Sequence, residues 1–160
     1  MPKAYIGLGS NLDDPARQVL SALKAISRLD GVRLLQRSKL YRTPPMGPAD
    51  QPDYCNAVCV ADIDIEPGEL MQSLLAIELQ AGRVRGVQHW GPRRIDLDLL
   101  HVDGVELDTP ELKLPHPGIA KRNFVVVPLA EVAPDLVIPG LGSITQAALE
   151  IDTADLSDWN

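Results

Sequence analysis

The stretch Gly82–Leu100, GRVRGVQHWGPRRIDLDLL, decides how the rest of the chain is read. Its last part alternates: Ile95, Asp96, Leu97, Asp98, Leu99. Residues two apart on a strand share a face, so Asp96 and Asp98 stand side by side while Ile95, Leu97 and Leu99 face the opposite way. Two neighbouring carboxylates repel each other unless a cation lies between them. Just before them come Arg83, Arg85, Arg93 and Arg94, with no acidic residue between Gln80 and Ile95. Trp90 and the Gly91-Pro92 turn keep these arginines near the acid pair. Guanidinium forks match phosphate oxygens, and Mg²⁺ takes one or two protein carboxylates and completes its shell with phosphate and water. Either feature alone suits an ordinary solvated surface; side by side they point to a magnesium–polyphosphate site.

Upstream, the expected elements run strand, helix, strand, strand, helix, strand. Ala4–Leu8 is a short apolar strand ending at Gly9-Ser10-Asn11. That turn has neither the G-x-x-x-x-G-K-[ST] of a P-loop nor the third glycine of a dinucleotide fingerprint, so it is read as ending the strand. Asp13 or Asp14 is expected as N-cap with Pro15 as the first helical residue. Val19, Ala22, Leu23, Ile26 and Leu29 follow at helical spacing, and Asp30-Gly31 stops the run.

Val32–Arg42 reads as one strand. Thr43–Asp53, TPPMGPADQPD, is too long for a hairpin turn and too restrained by proline for a slack linker, which suggests a binding loop. Tyr54–Ile63 is the next strand, with Tyr54, Asn56, Val58 and Val60 on one face. An amide beside two valines needs a partner, either the neighbouring strand or a ligand. A second helix opens at Glu66-Pro67, with Leu70, Leu74, Ile77 and Ala81 as its apolar stripe and Gly82 as C-cap; Glu78 lies near the arginine cluster.

The order β-α-β-β-α-β is that of an α+β, ferredoxin-like fold with a mainly antiparallel sheet. Beyond Leu100 come a strand pair around Val105 and Leu112–Leu114, Pro115-His116-Pro117, and Phe124 with Val125–Val127. A helical PLAEVAP turn, a strand near Leu136–Ile138 and a helix from Ser143 to about Glu150 follow. These C-terminal additions are expected to complete αβα layers.

With 160 residues the expectation is a single domain over 1–160, able to bury roughly 70% of its unfolded surface. A net charge of −7 argues against general nucleic-acid binding. No run approaches a membrane span, and the start lacks an apolar leader core, so the cytoplasm is expected; a monomer is the separate expectation for its oligomeric state. Cys55 and Cys59, four apart on a strand, share a face but lie too far apart to bond, which fits a reducing compartment.

Five segments together resemble the 6-hydroxymethyl-7,8-dihydropterin pyrophosphokinases of folate biosynthesis. They are GSN after the first strand, YRTPPMGPADQPDYCNA, IELQAGRVR, HWGPRRIDLDLL and PHPGIAKRNFVVVPLAEVAPDL. The resemblance implies transfer of a pyrophosphoryl group from ATP to the hydroxymethyl of the reduced pterin, leaving AMP. It implies that Asp96 and Asp98 bind two Mg²⁺ ions and that Arg83 and Arg93 hold the triphosphate and stabilise the transition state. Arg85, Trp90, His116 and Arg122 would complete the ATP site, with Glu78 and Leu99 near its adenosine end. Tyr54 and Phe124 would stack on the pterin, and Asn56 with the backbone of Thr43, Pro44, Pro45 and Met46 would read its edge. The chain departs from the family pattern at His89, where arginine is more frequent, at Pro117, where some members carry tyrosine, and at Gly86-Val87-Gln88, which lacks a basic residue. These departures bear on how many basic groups close over ATP.

Two other readings are weighed. A D-x-D phosphohydrolase would use the first aspartate as nucleophile, but Leu100 stands where its usual threonine would be. A ferredoxin-like RNA-binding module would need aromatic residues on its central strands and a basic face, and the sequence has neither.

Overall fold

The computed structural model describes residues 1–45, 51–82 and 94–160. Its centre is β1 (Lys3–Ser10), flanked by β4 (Tyr54–Ile63) and β5 (Asp96–Val102), both antiparallel to it. On its far side β4 pairs with β2 (Val32–Arg37) and with β3 (Tyr41–Thr43), and β3 in turn pairs with β10 (Ser157–Asp158). The six strands form a ferredoxin-like sheet, as expected from the element order.

The single strand expected over 32–42 is two. At Ser38 the side chain takes over the ladder: its N–H donates to the Val58 carbonyl at 2.8 Å and its Oγ accepts from the Val58 N–H at 3.0 Å. With the Val58 carbonyl met by the Ser38 main chain and the Val58 N–H by the Ser38 hydroxyl, the chain steps sideways while both β4 groups keep a partner.

Helices α1 (Pro15–Ser27) and α2 (Pro67–Ala81) cover one face of the sheet. The stripes read from the sequence are the ones buried: Val19, Ala22, Leu23 and Ile26 from α1, Leu70 and Leu74 from α2. Leu29, Ile77 and Ala81 pack against that core half-buried. Asp14 stands at the α1 N-cap position but is left-handed, with φ 62°, and its side chain makes no capping bond, so the first turn rests on Pro15 instead. Gly82 ends α2 as expected, its N–H donating to the Glu78 carbonyl at 3.1 Å.

The other face is covered by α3 (Asn123–Val132) and α4 (Ile144–Glu150), over Tyr5, Val58, Val60 and Leu100. The run Val125–Val127 lies inside α3, and Pro128 is tolerated there six positions into the helix. Short antiparallel pairs complete the chain: β6 (Leu107–Asp108) with β7 (Lys113–Leu114), and β8 (Val137–Ile138) with β9 (Gly142–Ser143). Cys55 and Cys59 are buried free thiols, with burial pushing them up to about 11 and about 12, so they behave as small hydrophobes.

Candidate active site

Register alone builds the site. Gly9 of β1 is paired with Asn56 on one side and Asp96 on the other; Gly7 is paired with Val58 and Asp98. Directly paired residues share a face, so Asn56, Gly9 and Asp96 form one row across the sheet, and Val58, Gly7 and Asp98 the next. A third row holds Val60, Tyr5 and His101. Helix α3 buries the Tyr5 end, while Asp96 stays exposed and Asp98 half-exposed. Gly9 presents no side chain, leaving a trough about two strand spacings wide, roughly 9–10 Å, between the amide of β4 and Asp96 of β5. The space over Gly7 is filled by the Leu100 side chain, 3.5 Å from where a Cβ would stand.

A bulge in β5 makes this arrangement compatible with a buried core. The register shifts between Tyr5 and Ile6, whose partners are His101 and Leu99, so Leu100 is the extra residue. Leu97 and Leu99 face the α1–α2 core, while Leu100 and His101 both lie on the α3 side with Tyr5. His101 stacks on Tyr5 at 5.8 Å.

Basic groups reach Asp98 from the segment ahead of α3. Arg122 Nη1 lies 3.5 Å from Asp98 Oδ2. His116 donates its backbone N–H to the Leu100 carbonyl at 2.8 Å, and its Nδ1 accepts from the Gly118 N–H at 2.9 Å. A ring accepting at Nδ1 carries its proton on Nε2 when neutral. Burial lowers its pKa, with the field of Asp98 raising it and that of Arg122 lowering it further. His116 therefore stands as a neutral N–H donor beside an acid and a guanidinium.

At the other side of the trough Asn56, 4% exposed, donates through Nδ2 to Thr43 Oγ1 at 2.9 Å. Tyr54 is half-buried beside it, Pro44 is exposed and Pro45 half-buried. Phe124 sits half-buried at the start of α3, against the second core. Glu78 is buried, and its Oε2 accepts from the Leu97 N–H at 2.8 Å, tying α2 to the root of β5. Leu99 is 2% exposed in the α1–α2 core, so any ligand contact it made would come from its main chain.

Of the arginine cluster, Arg94 is described. Its Nε pairs with Asp13 Oδ2 at 2.9 Å, and its carbonyl accepts from Ser10 Oγ, so it ties the start of β5 to the end of β1 and the turn that follows. Arg83, Arg85, His89, Trp90 and Arg93, with Gly86-Val87-Gln88 and Met46, lie outside the described residues.

Gly9 is the residue of this candidate site that sequence reading missed, and Gly7 on the same face makes room for the Leu100 side chain. The signal was present: two glycines at i and i+2 inside an apolar strand mark a face where something approaches the backbone. Ser10, read as part of a turn, is still in β1.

Among the described residues no group of three or more His, Cys, Asp or Glu could hold a metal ion by itself. Two exposed carboxylates on one strand face suit a hard cation that takes its remaining ligands from phosphate and water, as Mg²⁺ does. A cleft of about 530 Å³ at the opposite end of the same face, lined by Lys3, Tyr5, Gln36, Val60, Asp103 and Leu136, is remote from the acid pair.

The family model for 7,8-dihydro-6-hydroxymethylpterin-pyrophosphokinase matches residues 5–134. The 2-amino-4-hydroxy-6-hydroxymethyldihydropteridine pyrophosphokinase of Pseudomonas aeruginosa is 47% identical over 137 residues, covering 86% of this chain and 84% of the relative. The folic acid synthesis protein of Schizosaccharomyces pombe is 37% identical over 147 residues, 92% of this chain and 20% of that protein. In fold, the chain is similar to wild-type HPPK-DHPS of Plasmodium falciparum, with a TM-score of 0.72 at 12% identity over 99% of this chain and 47% of the other. No described helix is long and apolar enough to cross a membrane.

Proposed function

The chain belongs to the 7,8-dihydro-6-hydroxymethylpterin-pyrophosphokinase family, and from that premise we infer that it transfers the pyrophosphoryl group of ATP to the hydroxymethyl of 6-hydroxymethyl-7,8-dihydropterin. AMP and the pterin diphosphate are the products, a step of folate biosynthesis. The D-x-D phosphohydrolase reading falls away with this membership.

The observation that carries the assignment of residues is the row Asn56–Gly9–Asp96. A flat bicyclic ring resting over Gly9 would have an amide to meet one edge and two carboxylates beyond the other, where its hydroxymethyl would emerge. Asp96 and Asp98 would hold Mg²⁺, two ions in our reading. The metal supplies charge neutralisation of the phosphates and polarisation of the attacking hydroxyl. His116, neutral and carrying its proton on Nε2, donates to a phosphate oxygen, and Arg122 adds a fixed positive charge at the Asp98 end. Arg83 and Arg93 are assigned to the triphosphate and the developing charge, and Arg85, Trp90, Glu78 and Leu99 to the remaining ATP contacts. Tyr54 and Phe124 are assigned to stacking on the pterin, with the backbone of Thr43, Pro44, Pro45 and Met46 along its edge. Positioning and charge neutralisation suffice for this chemistry, so no protein nucleophile is required. We read residues 1–160 as one such domain, acting as a cytoplasmic monomer.

The test is the product. With ATP, Mg²⁺ and 6-hydroxymethyl-7,8-dihydropterin, AMP should form in step with pterin consumption when nucleotides are resolved by chromatography. ADP as the main product, or ATP loss indifferent to the pterin, overturns the reading.

A further inference from the structure

A buried primary amide has two faces, and turning it over exchanges an acceptor for a donor. Asn56, 4% exposed, has that choice made by its neighbours. Its Nδ2 donates to Thr43 Oγ1 at 2.9 Å, a buried bond between adjacent strands. Thr43 is itself 6% exposed and β-branched, so its hydroxyl has little freedom to leave that partner. With the nitrogen drawn toward β3, the amide oxygen leans over β1. There it lies 3.0 Å from where a Cβ on Gly9 would stand, closer than side chains normally tolerate. Any residue other than glycine would push the oxygen off that position.

We propose that Thr43, through its side-chain hydroxyl, and Gly9, through its missing Cβ, are positioning residues that hold Asn56 with Oδ1 over the trough, where it accepts from a ring N–H of the pterin. This rests on the pterin reading above. An amide held the other way would set its own N–H groups against the ring donors. The pair therefore determines which ring edge is read: an edge bearing N–H donors is accepted and one bearing only acceptors is refused.

Thr43→Val keeps the branched shape and removes the hydroxyl; Thr43→Ser keeps the hydroxyl and removes the methyl. Pterin dissociation constants are measured by fluorescence titration with a non-hydrolysable ATP analogue present, alongside the KM for ATP and the melting temperature. Thr43→Val should weaken pterin binding about tenfold, the loss of one buried hydrogen bond, and leave the KM for ATP within about twofold. Thr43→Ser should bind within about threefold of the native protein, and Gly9→Ala should weaken pterin binding at least as much as Thr43→Val. Native-like pterin binding by Thr43→Val overturns the proposal, as does a loss shared equally between pterin and ATP or reproduced by Thr43→Ser. None of these outcomes touches the reaction itself, which is tested separately by pterin-dependent formation of AMP by the native protein.

Discussion

At the scale of single residues, His101 shows most clearly how the fold constrains titration. It is 3% exposed, its Nδ1 has no hydrogen-bond partner among the described residues, and its Nε2 is 3.8 Å from Asp103 Oδ1, beyond hydrogen-bond reach. Burial lowers its pKa below the ordinary 6.5, outweighing the opposing pull of Asp103 and Glu106. The folded protein thus takes up this proton less readily than the unfolded chain. As pH falls through about 6.5 the unfolded state binds more protons, and stability drops until pH passes the depressed folded value. His116 is shifted the same way and adds the same sign. Replacing His101 by Phe, which preserves the stack on Tyr5, should therefore reduce, without abolishing, the loss of stability below pH 6.5. Urea midpoints between about pH 7 and 5 measure it; parallel slopes for the two proteins would contradict the account. Nothing in the sequence marks this histidine, because its place beside Tyr5 on the α3 side follows from the bulge at Leu100. That Asp96 and Asp98 share a sheet face, and that Asn56 shares one with Val58, was legible, since a two-residue period is a local signal. The tie of Arg94 to Asp13 was not, because it joins two turns far apart in the chain.

At the scale of elements, two departures from the expected order concern β3. No glycine or proline interrupts Val32–Arg42, and only the two hydrogen bonds of Ser38 with Val58 show where one strand becomes two. The final strand β10 was invisible for a different reason: Ser157–Asp158 is too short and too acidic to read as a strand, and it forms by pairing with Arg42 and Tyr41. That pairing lays Trp159 against the Arg42 guanidinium, 4.0 Å from its ring centre, while Arg42 Nη1 holds Asp53 Oδ2 at 3.2 Å. Arg42 immediately precedes Thr43, and Asp53 immediately precedes Tyr54, so one guanidinium joins the two ends of the proline-rich segment. A cation–π contact of this kind contributes about 0.5–1 kcal/mol at a half-exposed position. Trp159→Ala should accordingly raise the KM for the pterin about two- to fivefold with the KM for ATP unchanged. A change in melting temperature with both KM values at native level would show that β10 serves the sheet edge alone.

At the scale of the whole molecule, one sheet face serves two purposes, and the boundary between them falls within two residues of β5. Leu100 is fully buried under α3, 3.5 Å from where a Cβ of Gly7 would stand. Asp98 points from the same face but past the end of that cover, half-exposed, against Arg122. The layered α+β plan was readable from element order, and the extent of the α3 cover was not, because it depends on how far along the sheet a helix of ten residues reaches. The two positions should respond oppositely to truncation. Leu100→Ala removes packed core atoms and should cost about 2–5 kcal/mol, which at this chain length lowers the melting temperature by about 2–4 °C per kcal/mol. Turnover by the fraction that remains folded should be largely retained. Asp98→Ala removes one half-exposed ion pair worth about 0–1 kcal/mol and also relieves repulsion with Asp96, so its melting temperature should stay near the native value. Its turnover with saturating Mg²⁺ should fall about 100-fold or more, the effect of removing a group that stabilises developing charge. Asp96→Ala should behave like Asp98→Ala. Melting curves and single-turnover rates on the same preparations separate the cases. An Asp98→Ala protein that loses stability as Leu100→Ala does, or that keeps magnesium-dependent turnover, would mean that the acid pair belongs to the packing of the sheet rather than to the reaction.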